Sequence, residues 1–513
     1  MAARRPPSSV ETELKLQASP HALAIIGKQV RDLVAGVAAP TTKHLVTVYF
    51  DTPDLALARC GVSVRLRKAG RQYSQSVKAR HQPGIVSRRE WEWPCAGNAL
   101  DVARLGEGEV GTIIPPDAIM RLRPIFRTEV TRTTYRIQMA GCDIELALDR
   151  GAIIAGDAET PLCELELELK SGAARGGGLA SLYQVALTLH RAAPLMIGTQ
   201  SKADRGYALI EPQSRLATHA DPIDLPASTT LGDGLSAILG DCLRQVVANQ
   251  AGAAAGDVEG VHQMRVGVRR LRGAFQLFRH RLGDEELRFR DDLKFLSDAL
   301  GAARDWDVFV TLTLDLVKPQ AGPDFHRIVE AARSRQTLVH DELTGAIRSP
   351  RYTDLMLRLG GWIETAGWTA AADGNGRRGL TQPVSTAAGP LLARLAKKTA
   401  KAGRGITRFD DVERHGLRNS VKTLRDGVAF LGSLHDQSAV KAYRLPLSEL
   451  QDILGDLNDL VVGRRFLTDL RQAGVQHLEV DDLIADLKTR SGNLLDRLPK
   501  AWHRFAKAEP FWD

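Results

Sequence analysis

Up to about residue 210 the chain alternates apolar and polar positions in short runs, at Val10–Leu16, Leu45–Phe50, Val62–Lys68, Gln72–Lys78, Val86–Trp93, Thr128–Met139, Ile144–Leu148 and Leu162–Lys170. Regular runs of period two predict an antiparallel sheet or barrel. Two stretches of helical spacing interrupt it, His21–Ala35 and Gly178–Arg191. From about Leu231 the pattern changes to Leu and Ala at three- and four-residue spacing, which predicts helices. Residues 211–228 open a stretch rich in Pro, Ser, Thr and Asp and read as a linker. The expected fold class is therefore multidomain α+β, with a strand-rich domain over 8–210 and a helical domain over 229–505.

The helical part repeats itself. His262, Arg265, Arg269 and Arg272 are spaced three, four and three apart, and His415, Arg418, Lys422 and Arg425 repeat that spacing about 153 residues later. Leu300-Gly301 with Asp305 is echoed by Leu454-Gly455 with Asp459 at nearly the same offset. Two halves follow, about 229–371 and 390–505, joined by a polar, Gly-rich stretch.

Composition excludes several classes. Of 513 residues, 25% are charged and 43% hydrophobic, which rules out a mostly disordered or collagen-like chain. The five cysteines stand far apart without a C-x-x-C pair, so neither a disulfide framework nor a thiolate zinc site is expected. No apolar run approaches the ~18 residues of a membrane span, and Met1–Val10 does not lead into the apolar stretch of a secretory signal. A cytoplasmic protein with no membrane partner is the expectation. The net charge of +8 permits an anionic partner without demanding nucleic acid.

Side chains two apart on a strand share a face. Glu11, Glu13 and Lys15 therefore point one way, as do Arg65 with Arg67, Ser76 with Lys78, Arg88 with Glu90 and Glu92, and Glu164 with Glu166 and Glu168. Single-sign rows repel on an open sheet but gain a purpose inside a barrel, where carboxylates converge on a hard cation and Arg and Lys grip phosphates. Arg65, Arg67, Lys78, Arg88 and Arg132 are the candidate phosphate ligands, and Glu90, Glu92 and Glu145 the candidate partners that hold arginines in place. Arg127 falls on the strand face opposite Arg132.

Glu11-Thr12-Glu13-Leu14-Lys15 resembles the E-x-E-x-K motif of the CYTH superfamily of triphosphate tunnel metalloenzymes. Tyr49-Phe50-Asp51-Thr52-Pro53, Val64-Arg65-Leu66-Arg67, Lys78, Arg88-Arg89-Glu90, Arg132, Ile144–Asp149, Cys163–Leu169 and Ser201-Lys202-Ala203 follow in family order. The resemblance, closest to the bacterial inorganic triphosphatases, implies an eight-stranded antiparallel tunnel that hydrolyses tripolyphosphate to pyrophosphate and phosphate with Mg²⁺ or Mn²⁺. By the same resemblance Glu11, Glu13, Glu164 and Glu166 hold metal, and Asp149 completes that set or orients water. Lys15, Arg65, Arg67, Lys78, Arg88 and Arg132 bind phosphates, and Lys202 stands at the tunnel mouth near the leaving group. Thiamine triphosphate hydrolysis, cyclisation of ATP to cyclic AMP, and a non-catalytic polyphosphate scaffold are the rival readings.

On a helix, i, i+3, i+7 and i+10 fall on one face, so each His-led set forms a basic stripe above an apolar one, Met264, Val268 and Leu271 in the first and Leu417, Val421 and Leu424 in the second. The stretches His262–Arg272, including Arg270, and Leu300–Val308 resemble the CHAD domain, with weaker copies at His415–Arg425 and Leu454–Asp459. That resemblance implies two pseudo-symmetric helical bundles whose basic surface binds inorganic polyphosphate, and it admits association with polyphosphate granules. Lys422 and Thr423 depart from the paired arginines 269 and 270. Aromatic residues are scarce in the stripes, which argues against stacking on single-stranded nucleic acid.

Overall fold

The structure, a computed structural model, describes residues 9–79, 87–171, 177–211, 217–282, 287–318, 322, 325–371, 379–472 and 480–512. The side chains of 9–11, 87–88 and 370–371 are outside that set, and so is the connector stretch 372–378. The described chain divides into two compact units. One runs up to Leu216 and takes in Thr353–Thr365; the other comprises Ala217–Tyr352 and Ala366 onward.

In the first unit every predicted run falls on a strand, several of them longer than the alternation showed, apart from Val86, which lies outside the described residues. They are β1 (Ser9–Ala18), β2 (Thr41–Asp51), β3 (Val62–Ala69), β4 (Gln72–Ala79), β5 (Ser87–Cys95), β6 (Arg123–Met139), β7 (Cys142–Ala155) and β8 (Ala158–Ser171). All neighbours are antiparallel in the order β5-β4-β3-β2-β6-β7-β8-β1, and β5 also pairs with the start of β1. That last ladder closes the eight strands into a tunnel. A ninth strand, β9 (Leu195–Ile197), pairs with the end of β1; three residues are too few to register as an alternating run.

Closure turns the charged faces inward and the apolar faces outward, under helices. Leu14, Leu16, Leu165 and Leu167 are buried against the side of the barrel carrying α1 (Pro20–Leu33), whose Ile26 and Val30 are fully buried. Short helices α2 (Ala56–Arg59), α3 (Val102–Leu105), α4 (Gly108–Ile113) and α5 (Pro116–Ile119) cover Val62, Val64, Val77, Trp91 and Trp93 on the opposite side. Asp51 of the Tyr49–Pro53 motif starts α2: its carboxylate accepts the N–H groups of Thr52, Leu57 and Ala58 at 2.7–2.9 Å. Beyond α6 (Gly177–Ala192), α7 (Lys202–Ile210) begins at a capping box in which Ser201 and Asp204 bind each other's backbone N–H. Val130, Ile153 and Leu162 form the core on which α7 seats Tyr207 and Leu209.

The second unit is all-helical. Its first half holds α8 (Leu231–Ala253), α9 (Val258–Leu282), α10 (Leu287–Val308), a π turn at Phe309–Thr313, α11 (Leu314–Val317) and α12 (Phe325–Arg348). After α13 (Pro350–Glu364) and α14 (Trp368–Ala371), the second half holds α15 (Val384–Ala402), α16 (Asp411–Leu431), α17 (Gln437–Gln472) and α18 (Val480–Ala506). Corresponding helices of the two halves meet, α8 with α15, α9 with α16 and α10 with α17. The halves also share a core, where Trp306 stacks on Phe466 at 4.0 Å. Most of α13, inside the span read as the first helical half, belongs instead to the tunnel unit. Gly360 and Gly361 make a slot for the Tyr183 ring of α6, and Asp354 lies 3.7 Å from Arg191.

Candidate active site

The tunnel encloses a cavity of about 470 Å³ whose wall is almost wholly charged. Register decides who faces whom. Lys15 of β1 stands opposite Glu166 of β8, Glu164 stands opposite Asp149 of β7, and Asp149 opposite Arg132 of β6. Glu13, Lys15, Arg65, Arg67, Lys78, Arg132, Glu166 and Lys202 line the cavity, with Tyr49, Ser63, Glu90, Glu92, Glu145, Glu168, Lys170 and Ser201. Asp149 and Glu164 are fully buried behind Lys202.

Glu13, Asp149, Glu164 and Glu166 are each held by cations. Arg132 binds both oxygens of Asp149 (2.7 and 2.6 Å) and Glu166 Oε2 (2.5 Å). Lys15 lies 2.9 Å from Glu166 and 3.3 Å from Glu13. Lys202 binds Asp149 at 2.7 Å, Glu166 at 2.8 Å, and Glu164. Burial pushes the Glu166 carboxyl up, but Lys15, Lys202 and Arg132 outweigh it and hold it well below the usual range. Asp149 is lowered in the same way, burial being outweighed by Lys202 and Arg132. On the other wall, Glu90 binds Arg65 (2.9 Å) and Lys78 (3.0 Å), and Ser76 accepts from Arg65 Nε at 2.7 Å. Arg67 has no carboxylate partner among the described residues; Thr47 Oγ1 at 3.4 Å is its contact. Repulsion from Arg65, burial and repulsion from Arg132 push it down to about 10, so it stays charged at neutral pH in a positive field.

Ligand oxygens of Asp149, Glu164 and Glu166 lie within 4.8 Å of one another. Glu164 Oε2 is buried with no hydrogen-bond partner among the described residues, and Arg205 stands 3.8 Å from it. An all-oxygen donor set with an unsatisfied buried oxygen fits a hard divalent cation such as Mg²⁺ or Mn²⁺.

In the helical unit, α9 and α16 carry the two stripes over fully buried Leu271, Leu417, Val421 and Leu424. Arg265 lies 3.7 Å from Asp305, and Arg269 forks onto Asp426 at 3.1 and 3.2 Å. Burial pushes Lys422 down to about 6, helped by repulsion from Arg418, Arg269 and Arg265 and opposed by Asp459. Burial also pushes the His262 imidazole down to about 4, with Arg304 adding to it. His415 is exposed beside Asn458, and Arg272 is exposed beside Ser297.

Comparison with known proteins matches residues 9–207 to the CYTH domain and residues 237–468 to the CHAD domain. The chain is a CYTH domain followed by a CHAD domain. An inorganic triphosphatase of Haemophilus influenzae is 30% identical over 205 residues, 39% of this chain and 54% of its own length, so the chain spans about half of that relative. An uncharacterized protein of Mycobacterium tuberculosis is 27% identical over 496 residues, 91% of this chain and 89% of its own. The crystal structure of the CHAD domain from the plant Ricinus communis superposes with a TM-score of 0.50 at 30% identity, covering 56% of this chain and 96% of that one.

Within the CYTH domain the structure gathers Glu13, Glu164, Glu166, Asp149, Lys15, Arg65, Arg67, Lys78, Arg132 and Lys202 at one cavity. Glu11 and Arg88 pair with each other along the β1–β5 ladder, but their side chains lie outside the described residues. Among the described residues the closest carboxylate group is the one that the expectation let Asp149 complete. Asp149 joins Glu164 and Glu166, while Glu13 stands beside Lys15 and opposite Glu168 in the β1–β8 register. Lys202 binds that trio. Arg127 points away and pairs with Glu129 at 2.8 Å. Ser63 lines the cavity without having been singled out, and Tyr49 and Ser201, quoted only as parts of motifs, line it too. The spacing Ser201-x-x-Asp204 was the available signal that a helix starts at Lys202.

The CHAD stripes also need a correction. Arg270 does not belong to the surface: it is buried, with Asp241 at 2.9 Å and Gln245 at 2.8 Å. One residue after Arg269, it turns by about 100° into the core of the bundle. Arg418 is buried too, with its Nε unpartnered. Arg304 and Arg465, on α10 and α17, add charge to the same cluster. No described helix is long and apolar enough to cross a membrane.

Proposed function

We propose that the CYTH domain is a divalent-cation-dependent inorganic triphosphatase, splitting tripolyphosphate into pyrophosphate and phosphate, and that the CHAD domain binds inorganic polyphosphate. The observation that carries the first part is the pairing, in one tunnel cavity, of a buried carboxylate trio with a wall of cations that includes Arg67, which has no carboxylate partner among the described residues. A linear polyanion answers to both, and the wall offers more charge than a single phosphate group would use. Water adds its oxygen to the terminal phosphorus, the bridging P–O bond breaks toward pyrophosphate, and the proton of the water passes to solvent. Arg65, Arg67, Lys78 and Arg132 would bind the chain in line and stabilise charge on the transferring group. Asp149, Glu164 and Glu166 would hold Mg²⁺ or Mn²⁺, which supplies charge neutralisation and Lewis acidity at the phosphoryl oxygens. A cytoplasmic polyphosphate store would be a natural location for both domains.

The test is phosphate release from tripolyphosphate, ATP and thiamine triphosphate with Mg²⁺ or Mn²⁺, in wild type and Glu166→Gln. Tripolyphosphate is the expected preferred substrate, and the variant should lose about 100-fold or more in kcat. Wild-type rates in Glu166→Gln would remove the tunnel chemistry. In parallel, polyphosphate binding should survive Glu166→Gln, weaken when Arg265, Arg269 and Arg272 are neutralised together, and fall steeply with salt. Affinity unchanged by that triple substitution would discard the stripe.

A further inference from the structure

Among the described residues, the polar contacts of Lys202 Nζ fall on one set of oxygens: Asp149 Oδ2 at 2.7 Å, Glu166 Oε1 at 2.8 Å, and Glu164 Oε1. These belong to the carboxylates whose ligand atoms cluster within 4.8 Å. Lys15 is different. It reaches Glu166 at 2.9 Å and Glu164 at 3.7 Å, but also Glu13 at 3.3 Å, so it keeps a carboxylate when the first two are claimed by something else. Lys202 has no such reserve among the described residues.

We propose that Lys202 and the divalent cation are direct competitors for Asp149, Glu164 and Glu166, so that cation loading expels the ammonium into the cavity, where it becomes a phosphate ligand. The inference rests on the reading that this trio holds the cation. Three features support it. An ammonium and a divalent ion on shared oxygens repel strongly where water is excluded. The lysine can leave by rotating its flexible four-carbon stem, because the capping box at Ser201 and Asp204 holds the backbone of α7 in place. Ser201 and Ala203, its chain neighbours, both line the cavity, so the expelled ammonium stays over bound substrate. Cation and triphosphate binding are then coupled through the protein: the cation brings its own charge and releases a second one, and by linkage the triphosphate tightens the cation in return.

The experiment titrates Mn²⁺ into metal-stripped full-length protein by calorimetry and electron paramagnetic resonance, for wild type, Lys202→Met and Lys202→Arg. Lys202→Met should bind Mn²⁺ about tenfold or more tighter than wild type, and Lys202→Arg, which keeps the charge, should not. Equal affinity in wild type and Lys202→Met would overturn the competition and leave the cation site standing. No Mn²⁺ binding in either protein would instead overturn the cation site itself. Because removing the lysine leaves three crowded carboxylates and can impair folding, a second readout uses wild type alone. Acetic anhydride labelling of Lys202, followed by peptide mass spectrometry, should rise when Mn²⁺ is added. Labelling that stays constant through Mn²⁺ saturation would overturn the expulsion.

Discussion

Lys422 carries the clearest tension at the scale of single residues. It has no carboxylate partner among the described residues, and its neighbours on α16 and α9 include Arg418, Arg269 and Arg265. The ordinary lysine value is 10.5 and the folded value about 6, so between these limits the unfolded chain binds more protons and stability rises with pH. At neutral pH this lysine therefore opposes folding, a cost that makes sense if a polyanion is to supply the missing charge. Lys422→Gln should raise the melting temperature at pH 7, and the gain should vanish as pH approaches the ordinary lysine value. The same variant should bind polyphosphate more weakly. Melting curves by scanning fluorimetry between pH 6 and 10, with and without polyphosphate, check both signs; a variant that melts below wild type at pH 7 would contradict the account. Arg67 is a milder case of the same arrangement in the tunnel, a cation held next to other cations.

Among the elements, α7 matters most, because it brings Lys202 to the carboxylates. Its seat is tight at Gly206, where a Cβ would lie 2.1 Å from the Phe126 ring, itself stacked on Tyr49 at 4.4 Å. Arg205 adds a hydrogen bond to the Pro161 carbonyl at 2.6 Å. Gly206→Ala must lift the helix or turn Phe126, which overpacking data put at ~1–3 kcal/mol. We expect a lower melting temperature together with a loss of tripolyphosphate hydrolysis larger than the loss of folded protein, since Lys202 moves with the helix. Steady-state rates normalised to the folded fraction make the check. A variant that is destabilised but fully active per folded molecule would separate α7 from the chemistry.

For the whole molecule, the unit boundary does not follow chain order. Thr353–Thr365 lies far downstream of the last strand, yet it belongs to the tunnel unit, and a Cβ on Gly360 would lie 2.9 Å from Tyr183 of α6. The tyrosine is buried against this double-glycine slot. Gly360→Ala should therefore destabilise the tunnel unit, and a fragment ending at residue 216 should melt below the same unit in the full chain. Hydrogen exchange on α6 peptides reports both. Unchanged protection in either protein would show that α13 contributes nothing to that unit.

Much of this was fixed locally. Strand alternation has a period of two whatever surrounds it, so the eight runs and their charged faces could be read from the chain, and Glu164, Glu166, Arg65 and Arg67 do share the interior. The stripes could be read in the same way, because helical spacing places Arg265 and Arg269 over buried Val268 and Leu271. Periodicity says which side chains share a face; it does not say what stands across from them. Cross-strand register placed Asp149 with Glu164, and a helix start at Ser201 aimed Lys202 at the same oxygens. Helix packing likewise buried Arg270 on Asp241 and put Asp426 against Arg269. Charge type and facing were written in the sequence, whereas partnership is a long-range property that only the packed chain decides.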